Sequence, residues 1–362
     1  MAYVASVGVS IPPNEITQAE IKEFVRHIFP RSEREVERLL PVFENASVER
    51  RQFVVPKEWF EEDHGFMDRN LVYEKKSLEF ALEAADACLT NTTFLTEPIH
   101  YDAIDVVIFV SSTGVATPTI DARMMNERAF RTDTKRIPIW GLGCAGGSSG
   151  MARAMDYVLA HPKENVLIVT VELCGLTFQK NDHRKSNFIG TALFGDGVAA
   201  SLVMGEQSTY RNRIRNRVPV MKRASSRLMK DALDVMGWNV NDHGFEVVFS
   251  RSIPRLVETF WKDHVTEFTQ EIGVHPSTFP FFVAHPGGTK VLEAYEAITG
   301  SSSDKFKYSY DVLRNHGNMS SSTVIHVLKS WMEEFPPSHS KSLLAALGPG
   351  FSSELVYLEW SE

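Results

Sequence analysis

Apolar residues along this chain fall into two kinds of run. Short runs rich in Val, Ile and Phe, such as "DVVIFVS" (105–111), "NVLIVTVEL" (165–173) and "FPFFVA" (279–284), have the make-up of buried strands. Between them lie longer segments whose apolar positions return every three or four residues. The clearest is 319–335, where Val324, Leu328, Trp331 and Phe335 mark one face of a helix. The pattern predicts strands over 3–9, 105–111, 136–142, 165–173, 197–204, 217–223, 245–250, 279–284, 342–347 and 353–360. It predicts helices over 17–28, 33–44, 74–90, 120–129, 147–161, 252–270, 288–298, 306–315 and 319–335. Strands apolar at nearly every position belong to a sheet covered on both faces. Alternation with helices makes this an α/β layered protein. The stretch from Gly205 to Arg217, "GEQSTYRNRIRNR", is polar and basic. It marks a boundary between a half spanning 1–207 and a half spanning 208–362.

Composition narrows the class. The 362 residues suffice for two domains or one large two-part unit. A net charge of −8 argues against a nucleic-acid partner, while leaving room for a local basic pocket. No apolar run reaches the ~18 residues of a membrane span. The opening "MAYVASVGVSIPPNE" reads as a strand and a turn rather than a signal peptide. The three cysteines, Cys88, Cys144 and Cys174, make a poor disulfide framework, and a reducing cytoplasm is the expected location. No C-x-x-C or H-E-x-x-H spacing occurs, so no metal is expected.

Three turns carry candidate chemistry. In "PIWGLGCAGGSSGMARAMDYVL" (138–159), Gly141 to Gly146 fits G-x-G-x-x-G, and Glu172 stands near where a ribose-binding acid would fall. The same turn places the Cys144 thiol between a strand and a helix, where a helix N-terminus favours a thiolate. His285 closes a buried strand and is followed by Pro286, Gly287 and Gly288. Asn318 precedes an amphipathic helix, as an N-cap or as an amide donor to an oxyanion. A Cys/His/Asn set serves either papain-like hydrolysis or acyl transfer with carbon–carbon bond formation. The local papain signature is absent.

The segments "GLGCAGG", "FIGTALFGDGVAAS", "AHPGGTKVLE", "NHGNMSSSTV" and "LAALGPGFSSE" together resemble the type III polyketide synthases of the chalcone-synthase superfamily. The similarity runs nearly end to end. It implies a thiolase-like αβαβα fold of two similar halves, a homodimer, and catalysis by Cys144, His285 and Asn318 without a cofactor. In that scheme a Cys144 thiolate, paired with a His285 imidazolium, takes an acyl group from a starter acyl-CoA. Malonyl-CoA then loses carbon dioxide, and the enolate oxygen accepts hydrogen bonds from His285 and Asn318. Phe194 matches the gatekeeper between CoA tunnel and cavity. Gly348, Gly350 and Phe351 match a glycine loop in the cavity wall, with Ser320 also at the cavity. Arg50 and Arg51 fall near the expected CoA-phosphate contacts. Val247 stands where plant enzymes carry a second gatekeeper phenylalanine. Thr117 replaces a methionine that crosses the dimer interface, and Cys174 holds a cavity position. These small side chains imply a long-chain fatty acyl starter and alkylpyrone or alkylresorcinol products. The alternatives are an initiating β-ketoacyl-acyl-carrier-protein synthase, a cysteine hydrolase and a non-catalytic paralogue.

Overall fold

The computed structural model describes residues 1–29, 33–250 and 252–362, with the side chain of Glu33 also outside the description. The first half contains β1 (Ala2–Ser10), β2 (Asn14–Thr17), β3 (Arg50–Phe53), β4 (Val106–Ser111), β5 (Lys135–Trp140), β6 (Asn165–Leu173) and β7 (Asp196–Gly205). The second contains β8 (Pro219–Leu228), β9 (Met236–Asn241), β10 (Gly244–Phe249), β11 (Phe281–Ala284), β12 (Lys341–Gly348) and β13 (Ser352–Trp360). Nine of these form one hydrogen-bonded run in the order β11-β12-β13-β8-β1-β7-β6-β4-β5.

The run is two half-sheets of the same design. In the first, β5, β4 and β6 are parallel, and β7 and β1 follow antiparallel. In the second, β11 and β12 are parallel, and β13 and β8 follow antiparallel. They meet at β1 and β8 through just two residue pairs, Ala2 with Met221 and Tyr3 with Val220. The helices Gly146–Ala160 and Thr323–Glu333 each touch strands of both halves and form a shared middle layer. The helix Phe66–Leu89 covers the outer face of β1, β6 and β7. Trp261, Val265 and Tyr295 join Phe282, Leu343 and Tyr357 in an outer core on the other side. The outcome is a five-layered αβαβα architecture, the thiolase-like fold expected from the sequence.

Several boundaries differ from the predicted ones, for local reasons. The helix predicted over 33–44 breaks into Glu33–Leu39 and Pro41–Asn45, because Pro41 has no N–H to continue the ladder. The segment 319–335 starts as a 3₁₀ turn at Ser320–Ser322 and becomes α-helical only at Thr323. Ser320 has a φ of 48°, which no helix interior accepts. The short pair β2–β3 escaped the pattern, since four polar-rich residues on each side find one another across about thirty intervening positions.

Candidate active site

Cys144 sits in a 3₁₀ turn, Gly143–Ala145, between the end of β5 and the start of the helix Gly146–Ala160. The turn reverses direction through Gly141 (φ 88°) and Gly143 (φ 47°), both left-handed. It is pressed from behind by the 348–350 loop: a Cβ on Gly348 would lie 2.6 Å from Ala145 Cβ and from the Leu142 carbonyl. His285 follows β11, and its N–H extends the parallel ladder to the Ala345 carbonyl at 2.8 Å. Asn318 is held on both sides of its backbone, donating to Leu193 O (2.8 Å) and accepting from Gly195 N–H (3.1 Å). This bridge places Phe194 beside it.

The three side chains share one cavity of about 300 Å³, with Leu193, Tyr295 and Leu347 also in its wall. Asn318 Oδ1 accepts the Ser320 N–H at 2.8 Å. That contact fixes the amide orientation, so Nδ2 is free to donate, and it lies 3.8 Å from Cys144 Sγ. Both ring nitrogens of His285 are buried without a partner. Two orphaned polar atoms facing a cavity mark a place for a ligand's polar group.

Burial dominates the electrostatics of the cysteine and the histidine. Burial pushes the Cys144 thiol up to about 12, and the Glu172 charge adds to that, while Ser320 and Asn318 only partly oppose it. Burial pulls His285 down to about 3. Burial thus works against charge on both the thiol and the imidazole.

The chemistry behind the turn was not legible beforehand. Glu172, fully buried, accepts from Ser112 N–H (3.1 Å) and Ser321 Oγ (2.6 Å). Ser112 Oγ in turn accepts the Gly143 N–H at 3.0 Å. One carboxylate thus ties the cysteine turn of the first half to the asparagine turn of the second. Its burial and its two donors leave it no role with a ribose, which removes the dinucleotide reading of the glycine pattern.

The remaining expected residues fall into three groups. Phe194, Cys174 and Val247 line a second, apolar crevice that also takes in Ile21, Phe24, Phe53 and Phe60. Phe194 stacks on Phe249 at 5.4 Å and approaches Trp238 at 6.0 Å. Gly348 and Ser320 pack around the cysteine and asparagine turns, whereas Gly350 lies against Leu228 and Phe351 is buried beside Phe260. Thr117, however, is exposed and lines neither cavity of its own chain. The expectation for Arg51 is overturned. It is fully buried and donates to the carbonyls of Thr191 (2.7 Å) and Phe194 (3.1 Å) and to Gln18, so it cannot meet a CoA phosphate. Arg50 is exposed but bound to Asn315 Oδ1 at 3.0 Å, away from the cavity. Lys185 and Lys290 line the catalytic cavity instead.

Comparison with known proteins agrees with this geometry. Residues 1–207 match the model for the N-terminal domain of chalcone and stilbene synthases, and residues 220–359 match that for the C-terminal domain. The chain belongs to the chalcone and stilbene synthase family. This synthase is 45% identical to a putative chalcone synthase of Bacillus subtilis (strain 168) over the whole of both chains. It is 32% identical to 1,3,6,8-tetrahydroxynaphthalene synthase of Streptomyces peucetius subsp. caesius, covering 99% of this chain and 93% of that one. The crystal structure of 1,3,6,8-tetrahydroxynaphthalene synthase from Streptomyces coelicolor A3(2), a bacterial type III polyketide synthase, superposes with a TM-score of 0.90 at 30% identity over 99% of each chain. The synthase is accordingly a type III polyketide synthase, an acyltransferase. Among the described residues, no helix is long and apolar enough to cross a membrane.

Proposed function

We propose that this synthase condenses a long-chain fatty acyl-CoA starter with malonyl-CoA in repeated decarboxylative steps, giving alkylpyrone or alkylresorcinol products. The reading rests on one observation: an apolar crevice leads away from Cys174 and Phe194 between the first helix and residues 53–60. Its wall is mostly apolar, with Ile16, Ile21, Phe24, Phe53, Phe60 and Phe178 along it, a lining that suits a methylene chain.

His285 takes the Cys144 proton as the thiolate attacks the starter thioester, and the CoA thiol leaves with a proton returned to it. Malonyl-CoA then enters the emptied site. When its carboxylate leaves as carbon dioxide, the electron pair passes to the thioester oxygen. Asn318 Nδ2 and His285 donate to that oxygen, each such donor being worth ~3 kcal/mol at the barrier. The enolate carbon attacks the acyl-Cys144 carbonyl and the thiolate departs, leaving a chain longer by two carbons. Lys185 and Lys290 supply cations for the CoA phosphates. No cofactor enters this scheme. The half-boundary stays at 207/208. The working unit is a homodimer: β5 is an open edge strand with Trp140 52% exposed, and a second copy pairing there would bring its Thr117 loop alongside.

A panel of starter CoAs with malonyl-CoA, read by product mass spectrometry, tests this. Burial contributes ~0.8 kcal/mol per methylene, so kcat/KM is expected to rise up to about fourfold per added carbon while the chain fills the crevice. Products from malonyl-CoA alone, or from aromatic starters with nothing above about eight carbons, would refute the starter assignment. A strict need for an acyl carrier protein would favour the initiating ketoacyl synthase reading instead.

A further inference from the structure

The basic stretch at the boundary between halves has no part in the chemistry above. It borders a groove of about 750 Å³ built from Tyr3, Arg211, Arg215, Arg217, Lys222 and Phe335 among others. The groove lies at the opposite end of the sheet from the catalytic cavity. It gathers the start of β1, the start of β8 and the end of β13, and Ala2 of β1 pairs with Gly205 at the far end of β7. Its size falls in the usual range of ~300–1,000 Å³ for a small-molecule site.

Its charge is not neutralised internally. Arg213, in the same stretch, pairs with Glu97 at 3.4 Å. Arg211, Arg215 and Arg217 instead donate to the carbonyls of Glu206 (2.7 Å), Leu95 (3.3 Å) and Pro336 (3.3 Å). Lys222 Nζ has only a thioether sulfur at 3.8 Å. None of these four cations has a carboxylate partner among the described residues. The groove's own carboxylates, Glu359 and Glu362, face His339 at 3.2 and 3.9 Å. Arg211 is braced over the Tyr3 ring at 4.1 Å, and its Nε is buried with no partner. In a chain of net charge −8, four unpaired cations in one concavity are out of keeping with a plain solvated surface.

A second observation concerns Phe335. It holds a left-handed backbone (φ 50°) just past the helix Thr323–Glu333, a place that usually falls to Gly or Asn. The conformation is unfavourable for a phenylalanine, and strain of this kind gathers where a side chain is put to use. Here it leaves the ring 37% exposed in the groove wall. Guanidinium forks match phosphate oxygens, and an exposed aromatic face matches a nucleobase.

We propose that this groove binds a nucleoside polyphosphate, with the phosphates on Arg211, Arg215, Arg217 and Lys222 and the base on Phe335. Calorimetric titration of the whole protein with ATP, tripolyphosphate and adenosine tests it. ATP is expected to bind once per chain and to stay bound when CoA saturates the catalytic cavity. The double variant Arg215→Ala/Arg217→Ala, at two exposed positions, is expected to weaken both ATP and tripolyphosphate by about tenfold or more. Phe335→Gly relieves the backbone and is expected to weaken ATP while leaving tripolyphosphate unchanged. Absence of ATP binding, displacement of ATP by CoA, or an unaltered affinity in the double variant would overturn the site. Equal affinity for ATP and tripolyphosphate, with no effect of Phe335→Gly, would overturn the nucleoside assignment.

Discussion

Gly147 is where the two catalytic turns touch. A Cβ at this position would stand 2.2 Å from the Ser321 carbonyl oxygen and 2.8 Å from Val324 Cγ1. The first of these is backbone and cannot rotate away, so Gly147→Ala must push the two turns apart by about 1 Å to reach ordinary contact. Cys144 lies three residues before Gly147, and Asn318 three before Ser321, so the shift falls on the distance between nucleophile and oxyanion donor. Overpacking costs ~1–3 kcal/mol, and the better helix propensity of Ala returns ~1 kcal/mol, so the melting temperature should fall only modestly. Turnover is another matter: a misplacement of about 1 Å at a reacting pair costs up to ~100-fold. Product formation and carbon dioxide release from malonyl-CoA should therefore fall far more than stability does. Gly150→Ala is the control, because its Cβ meets side-chain methyls, those of Ile168 and Val110 at 3.3 Å and of Ile108 at 3.9 Å. A Gly147→Ala protein with wild-type turnover would refute the idea that this glycine sets the register of the site.

Three further outcomes follow from the site as built. With the Cys144 thiol pushed up to about 12, its thiolate fraction grows about tenfold per pH unit, so iodoacetamide inactivation should climb without a plateau between about pH 6 and 9. A plateau in that window, with the label found on Cys144 by peptide mass, would reveal a resting ion pair with His285. Asn318→Ala removes an enolate donor, and malonyl-CoA decarboxylation should drop by about 10²–10³; mass detection of released acetyl-CoA would check it. Arg51→Met strands the buried carbonyls of Thr191 and Phe194, at ~1–3 kcal/mol for each lost partner. It should lower the melting temperature and leave KM for acyl-CoA unchanged, whereas Lys290→Ala should raise that KM. The reverse pattern would restore Arg51 to the CoA site.

The sequence carried the fold well where structure is local. Near-continuous apolar strands and one-faced helices placed most of the elements, and the three reactive residues stood out because each sits at an element end beside glycines or a serine run. What escaped depends on distance along the chain. Glu172 reaches Ser112 and Ser321 across 60 and 149 residues, and no local pattern shows such a link. By resemblance Arg51 falls near the CoA-phosphate contacts, yet the β2–β3 pair and the carbonyls of Thr191 and Phe194 enclose it. Cys144 looked activated because the turn feeds a helix, but its burial becomes visible only when the second half packs against it. Lys185 and Lys290 were hidden by ordinary local sequence. Their place at the cavity comes from the meeting of the two halves.

The two-pair junction between β1 and β8 has a mechanical consequence. Cys144 rides on one body, and His285 and Asn318 ride on the other. The sheet itself is a weak strap between them, so their alignment depends on the middle helices, on the Glu172 link and on the backbone bridge from Asn318 to Leu193 and Gly195. A small loosening of that seam changes the distance between nucleophile and donors while every strand and helix stays intact. Catalysis is thus a strain gauge for the interface between halves. In a denaturant series it should fail before the far-ultraviolet signal moves, and ligands filling the shared cavity should draw the two failures together.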